Sequence, residues 1–201
     1  DNQEILVDGK SISKEEEMVL LAVNKPRGVV CTTDKRWGDQ TVEELIHYPK
    51  RVFYMGRLDK DSEGLLLMTN NGDIINRMMR AANKHEKEYK VTVDKPVTDE
   101  FLKEMAGGVP ILDTVTRPCQ VEKLGKYKFK IILTQGLNRQ IRRMCEALGY
   151  EVKELRRVRI MNIELGNLKP GEYRKVTDQE LNELYELIRD SKSEPTPWNN
   201  N

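Results

Sequence analysis

A charged turn between two apolar segments, residues 55–72, constrains the fold of this 201-residue chain more than any other stretch. Residues 52–55 and 65–68 are apolar enough to form short buried strands on either side of it. Arg57 and Asp59 lie between these strands, together with a second aspartate and a glutamate. Two core strands would hold such a cluster rigidly, as a catalytic group requires. Asp and Gly are also common turn residues, so this stretch alone is explained more simply as a structural turn.

Short strand patterns and helix signals are mixed along the rest of the chain. Thr41 and Glu44 have the spacing of a capping box, as do Thr177 and Glu180, and each pair predicts the start of a helix. Residues 136–149 predict another helix, with a glycine at its end. No regular alternation of strand and helix is present. The pattern therefore predicts an α+β fold and not a parallel α/β fold.

Composition excludes several classes of protein. Lys plus Arg is 34 against 33 for Asp plus Glu, so any nucleic-acid surface must arise from local segregation of charge. No apolar run approaches the roughly 20 residues needed to span a bilayer. The three cysteines and two histidines have no metal-ligand spacing, and the cysteines are odd in number. We therefore expect a cytoplasmic monomer with reduced thiols, no membrane contact and no metal.

Basic residues are concentrated between positions 139 and 159, where seven Lys or Arg stand against three Glu. Such an excess suits a phosphate-binding face, although a solvated charged surface is the ordinary alternative. On a helical wheel Arg142 lies beside Cys145 at the edge of the apolar face, whereas Arg139 and Arg143 point toward solvent. Arg142 is therefore the arginine that we expect to reach a cleft.

Four motifs stand in order along the chain: Asn24-Lys25-Pro26-x-Gly28, Gly56-Arg57-Leu58-Asp59 with the segment to Gly72, Lys87-Glu88-Tyr89, and Asn138-Arg139-Gln140-Ile141-Arg142-Arg143-Met144. Each motif alone is weakly specific, but together, in this order and spacing, they resemble the RsuA-type ribosomal RNA pseudouridine synthases. Residues 155–163, with Arg157 and Arg159, and the later Gly171-Glu172-Tyr173-Arg174 look most like the RluF-type branch of that family, which acts on 23S rRNA.

The resemblance implies a mixed, largely antiparallel catalytic fold with flanking helices. It also implies isomerisation of a uridine in ribosomal RNA, with the base flipped into a cleft and with neither metal nor organic cofactor. Asp59 would be the nucleophile, Arg142 its ion-pair partner, and Tyr89 would stack on the flipped uracil. On residues alone, packing between strands is the more common explanation for a tyrosine such as Tyr89. The resemblance assigns the remaining residues to substrate and RNA contacts: Arg57, Lys25, Ile141, Arg139, Arg143, Arg157 and Arg159.

The resemblance also divides the chain. Residues 1–14 match the last hairpin of an N-terminal S4 RNA-binding domain and a linker, residues 15–190 the catalytic domain, and residues 191–201 have the composition of a disordered tail. Two other functions remain open at this point: a non-catalytic RNA-binding or ribosome-assembly module, and a hydrolase that cleaves the glycosidic bond without rejoining it. Whether Asp59 attacks the base or the sugar is also open.

Overall fold

The computed structural model describes residues 17–32, 36–81 and 84–189. The S4-like segment and the tail predicted from the sequence lie outside these ranges. The described strands, β1 to β13 in chain order, are Leu20–Lys25, Val29–Val30, Gln40–Thr41, Phe53–Met55, Glu63–Thr69, Lys87–Val93, Pro110–Ile111, Thr114–Val115, Gln120–Gly125, Lys128–Leu133, Val152–Ile160, Ile163–Glu164 and Tyr173–Lys175. The described helices, α1 to α5, are Val42–Ile46, Gly72–Ala81, Asp99–Gly107, Gln140–Ala147 and Asp178–Ile188.

Nine of these strands form one sheet, in the order β13-β1-β5-β11-β6-β10-β9, with β4 beside β5 and β12 beside β11. Every pairing in this sheet is antiparallel except that between β5 and β11. A mixed, largely antiparallel sheet with helices packed on it is an α+β architecture. The fold class predicted from the sequence is therefore confirmed.

The parallel pairing of β5 with β11 joins the two halves of the sheet. It consists of two register pairs, Arg156 with Glu63 and Arg157 with Gly64. Gly64 has a φ of 110°, and a Cβ built on it would lie 2.2 Å from the carbonyl oxygen of Arg157. Only glycine permits this conformation and this approach of two backbones. The charged turn therefore leads directly into a backbone contact that leaves no room for a side chain at position 64.

The core explains why β5 is apolar throughout. Leu65 and Leu67 belong to one hydrophobic cluster with α2 and α5, whereas Leu66 and Met68 belong to another with α1. Alternate residues of a strand point to opposite faces, so a strand covered on both faces needs a continuous apolar run. A third cluster lies under α3 and α4, against β6 and β10.

Two helix starts agree with the sequence prediction, and one differs. The capping boxes at Thr41 and Thr177 are both formed. The predicted helix over residues 136–149 begins only at Gln140, because Arg139 adopts the left-handed conformation at its N-cap, with φ 48° and ψ 40°. This shift matters for the site described below. None of the helices in the described ranges is both long and apolar enough to cross a membrane.

Glu180 fastens α5 to the sheet and gives a testable pH dependence. Both of its carboxylate oxygens accept hydrogen bonds from Arg174 on β13, at 2.8 and 2.9 Å. This pairing lowers the pKa of Glu180 from its ordinary value of 4.5 to about 2. A carboxylate with a depressed pKa in the folded state stabilises that state above the unfolded-state pKa. The stabilisation is lost as the pH falls from 4.5 through 2.

We therefore expect Glu180→Gln to lower the free energy of unfolding by about 2 kcal/mol at pH 7, with a difference that shrinks steadily below pH 4.5. Urea unfolding of both proteins between pH 7 and pH 3 measures this. Glu186→Gln is the matched control, because Glu186 lies on the same helix in an exposed pair with Arg189; it should change stability by less than about 0.5 kcal/mol. A Glu180→Gln deficit that is independent of pH would contradict the ion-pair explanation.

Candidate active site

Residues 59–62, here called the aspartate turn, connect the charged stretch to β5. The amide of Ser62 donates to the carbonyl of Asp59 at 3.0 Å and closes the turn. The Asp59 side chain is 23% exposed and that of Asp61 is 41% exposed. Both carboxylates can therefore contact solvent or a ligand while their backbone stays fixed.

Groups from other segments hold the carbonyl oxygens of this turn. The ammonium of Lys25, at the end of β1, donates to Ser62 O at 2.7 Å, to Pro26 O at 2.9 Å and to Lys60 O at 3.4 Å. The amide of Gly28 also donates to Lys60 O, at 2.7 Å. Lys25 is completely buried, and this burial lowers its pKa to about 8. A cation in this place stiffens the turn.

Arg142 holds the same turn from α4. Its Nη2 donates to the carbonyl of Asp61 at 2.8 Å and to the hydroxyl of Ser62 at 3.1 Å, and its Nη1 lies 3.5 Å from the Asp61 carboxylate. Its side chain is 10% exposed, and this burial lowers its pKa below the ordinary value. Arg142 therefore points inward from α4, as the helical wheel predicted, but it contacts the aspartate turn and does not line the cavity described below.

The ion-pair partner of Asp59 is Arg139. Its Nη1 donates to Asp59 Oδ2 at 2.8 Å and to Asp61 Oδ1 at 3.2 Å, while its Nη2 donates to Asp61 Oδ2 at 2.8 Å. This pairing holds the pKa of the Asp61 carboxyl below its usual range. The prediction that Asp59 pairs with Arg142 is therefore wrong. Asp61 shares Arg139 with Asp59.

The reason for this error lies in the backbone of Arg139. The helical wheel treated it as a helical residue pointing to solvent, but it precedes the first helical residue, Gln140. Its left-handed conformation turns the side chain back toward the aspartate turn. Asn and Asp adopt this conformation most readily among residues other than glycine, so nothing in the sequence marked an arginine for it.

An open cavity of about 520 Å³ lies over the two carboxylates. Its size is within the usual range for small-molecule sites. Its lining carries three cations and two carboxylates, so an anionic ligand would meet excess positive charge at the rim. The lining residues are Arg27, Gly28, Asp59, Lys60, Asp61 and Arg139. In the described part of the chain, no cluster of three or more His, Cys, Asp or Glu side chains could hold a metal ion.

Tyr89 lies on the adjoining part of the sheet, opposite Arg157 on β11, which in turn pairs with Gly64. Its ring is completely buried and packs in the third hydrophobic cluster with Ile141, which is also completely buried. The ring therefore does not line the open cavity in this structure, although the expected stacking on a flipped uracil would require it to do so. A base could stack on it only after neighbouring side chains moved.

The predicted basic face is not a single surface. Arg157 is completely buried and donates to the carbonyl of Leu65 at 2.9 Å. Arg159 pairs with Glu86 and Glu88. Arg143 makes two hydrogen bonds to Asn138, both at 2.9 Å. Arg57 is exposed beside the aspartate turn.

Two of the predicted RNA contacts are thus structural in this geometry. Buried Lys25 and buried Arg157 cannot reach a phosphate, because their side chains have no exposed surface. Sequence patterns did not identify Arg27 and Lys60, which line the cavity. Lys60 could have been found from its place between the two aspartates.

An exposed carboxylate fixed by an arginine, in a cavity with a cationic rim, defines a site that can attack a phosphate-bearing substrate. The model of one family, RNA pseudouridylate synthase, matches residues 19–147. The chain is 54% identical over 195 residues to the dual-specificity RNA pseudouridine synthase RluF of Escherichia coli O6:H1, covering 96% of this chain and 67% of the relative. It is 37% identical to an uncharacterized RNA pseudouridine synthase of Aquifex aeolicus, covering 94% and 80%.

A solved structure agrees with these matches. A crystal structure of a pseudouridylate synthase superposes with a TM-score of 0.76 at 33% identity, covering 84% of this chain and 74% of that one. The chain belongs to the RNA pseudouridylate synthase family. It is accordingly an enzyme that isomerises uridine in RNA to pseudouridine, and the resemblance inferred from its four motifs is confirmed.

Proposed function

We propose that this chain isomerises a specific uridine of 23S ribosomal RNA, with Asp59 as the nucleophile. One observation supports this role most directly. Asp59 Oδ2 is held by Arg139, whereas Oδ1 has no hydrogen bond from any described residue. A carboxylate with one fixed oxygen and one available oxygen at an open cavity suits a nucleophile.

The reaction rearranges atoms within one nucleotide. The N1–C1′ bond breaks, the uracil turns, and a C5–C1′ bond forms; C5 loses its proton and N1 gains one. Asp59 bonds to the nucleotide in the first stage and is released at the end, through either uracil C6 or sugar C1′. The nucleotide is neither oxidised nor reduced, so the proposal requires no cofactor.

The target uridine must leave its stack to enter the cavity, because its glycosidic bond is inaccessible within folded RNA. In this proposal Arg27 and Lys60 bind phosphates at the rim, and exposed Arg57 binds beside them. Lys25 and Arg142 act on the turn that carries Asp59. Tyr89 stacks on the uracil, and Ile141 supports its apolar side, once the cavity opens toward them.

Two further inferences extend the proposal. RluF of Escherichia coli is named as a dual-specificity enzyme, and we infer that this chain also acts on more than one RNA. We further infer that it works in the cytoplasm, where ribosomal RNA is assembled.

Mapping pseudouridines in a deletion strain tests the substrate. Carbodiimide labelling with primer extension should show one site in 23S rRNA that is lost in the strain and restored by the native gene. The 16S rRNA and the small-RNA fraction are mapped in the same samples, and dual specificity predicts a second lost site among these RNAs. An unchanged 23S rRNA would contradict the proposed substrate.

Arg139→Gln should lower kcat by about 10- to 100-fold, because the Asp59 carboxylate loses its fixed geometry. It should also raise the pKa of the Asp61 carboxyl, which Arg139 now holds low. Single-turnover pseudouridine formation at saturating enzyme measures the first effect. Arg143→Gln is the matched control, since it removes the same charge from the helix nearby, and the Arg143 side chain hydrogen-bonds Asn138 and neither aspartate among the described residues. Equal losses in kcat would show that Arg139 acts only through its charge toward RNA.

A further inference from the structure

Trp37 is the most exposed large apolar side chain in the described residues, with a relative exposure of 102%. The next most exposed, Val115, reaches 60%. A buried aromatic side chain typically removes roughly 150–250 Å² from water, and Trp37 gains none of this from its own chain. Single exposed apolar residues are common on proteins. The position of Trp37 relative to the active site therefore decides whether it has a function.

The turn that carries Trp37 is tied to the aspartate turn by an ion pair. Asp39 closes this turn: its amide donates to Arg36 O at 3.0 Å, and its carboxylate accepts from the Arg36 amide at 3.1 Å. The other oxygen of the same carboxylate accepts from Lys60 at 2.9 Å. Lys60 lies between the two aspartates and lines the cavity.

The strands place the same turn beside the cavity independently. β2 and β3 are parallel, with Val29 opposite Gln40. In a parallel pair the segments that lead into the two strands also run side by side. Residues 36–39 lead into β3, and Arg27 and Gly28, which line the cavity, lead into β2. The turn that carries Trp37 is thus held beside the cavity by the ion pair of Asp39 with Lys60 and by the pairing of β2 with β3.

The chemistry of this rim matches single-stranded nucleic acid. Proteins bind such strands by combining basic groups along the backbone with aromatic faces on which bases stack. Here Arg36, Arg27 and Lys60 supply the basic groups, and Trp37 is the exposed aromatic face. We propose that Trp37 stacks on an unpaired RNA base next to the uridine that enters the cavity. This inference rests on the proposed function, which supplies the RNA.

Stacking on Trp37 is measurable by fluorescence, because the chain has two tryptophans, Trp37 and Trp198. In a Trp198→Phe background, Trp37 is the sole emitter. A short RNA carrying the uridine mapped in 23S rRNA should quench this emission on binding. Trp37→Ala should raise the Kd for that RNA by about 5- to 100-fold, whereas Trp37→Phe keeps most of the affinity. The dependence of Kd on salt should be unchanged, because stacking neutralises no phosphate.

Tyr127→Ala is the matched control. Tyr127 is another exposed aromatic residue, 42% exposed, in the turn between β9 and β10 at the far edge of the sheet. Its removal should leave the Kd unchanged. Unquenched Trp37 emission at saturating RNA, or equal affinities of Trp37→Ala and wild type, would overturn the inference.

The same titration with Asp59→Asn separates this inference from the proposed function. That variant should bind RNA and quench Trp37 normally while forming no pseudouridine. If this 23S-derived RNA quenches Trp37 but the wild type does not modify it, the proposed substrate is refuted and the stacking role is supported. If the wild type modifies it without quenching, the stacking role is refuted and the proposed substrate is supported.

Discussion

Asp59→Asn is expected to reduce pseudouridine formation on the order of 10³-fold or more, because an amide cannot replace a carboxylate nucleophile. The fold should be unaffected, since asparagine has the same shape and its carbonyl oxygen can still accept from Arg139. Release of tritium from RNA labelled at uracil C5 measures the rate, because C5 loses its hydrogen when it bonds to C1′. Thermal unfolding of the variant checks that its structure is intact.

Asp61→Asn is the matched control for this experiment. Asp61 lies two residues away, contacts the same Arg139 and lines the same cavity. It fixes Arg139 through two hydrogen bonds, so its loss should cost about tenfold through poorer positioning. A larger loss of activity for Asp61→Asn than for Asp59→Asn would show that Asp59 is not the nucleophile.

Gly64→Ala is expected to destabilise the protein by about 3 kcal/mol or more, and to lower its Tm by roughly 6–12 °C. The added Cβ would lie 2.2 Å from the carbonyl oxygen and 2.7 Å from the amide nitrogen of Arg157. Both contacts are with backbone, so no side-chain movement relieves them. The φ of 110° adds strain for any residue with a Cβ. Thermal and urea unfolding measure the effect.

Gly72→Ala provides the comparison, because Gly72 begins α2 and a Cβ there would meet nothing within 4 Å. It should leave stability unchanged or raise it slightly, since alanine favours helix. Similar losses of stability for the two variants would mean that the parallel pairing of β5 with β11 is not what requires glycine at position 64.

The elements of this fold that are encoded locally could be predicted from the sequence. The capping boxes at Thr41 and Thr177 require residues only three positions apart, and the run of β5 reflects burial on both faces. The parallel pairing of β5 with β11 joins residues more than 90 positions apart. Local patterns carry no information on such a pairing, so Gly64 was predicted only as part of a motif.

The site was predicted only in part, because it too depends on contacts between segments that are far apart in the sequence. Asp59 and Arg142 lie at the cavity or its supporting turn, and the motifs identified both. The exchange of Arg139 for Arg142 as the partner of Asp59 depends on one left-handed residue, Arg139, that delays the start of α4. The burial of Lys25 and Arg157 depends on how separate strands pack. A positive charge in the sequence indicates a phosphate contact only when the fold leaves it exposed.

Analysis of the nucleosides recovered from a purified reaction tests the central claim most directly. The protein is incubated with RNA carrying the mapped uridine, the RNA is digested, and uridine, pseudouridine and free uracil are quantified. We predict one pseudouridine for each uridine lost, no free uracil, and no conversion by Asp59→Asn. Free uracil with an abasic product, or equal conversion by Asp59→Asn and wild type, would contradict an isomerisation that depends on Asp59.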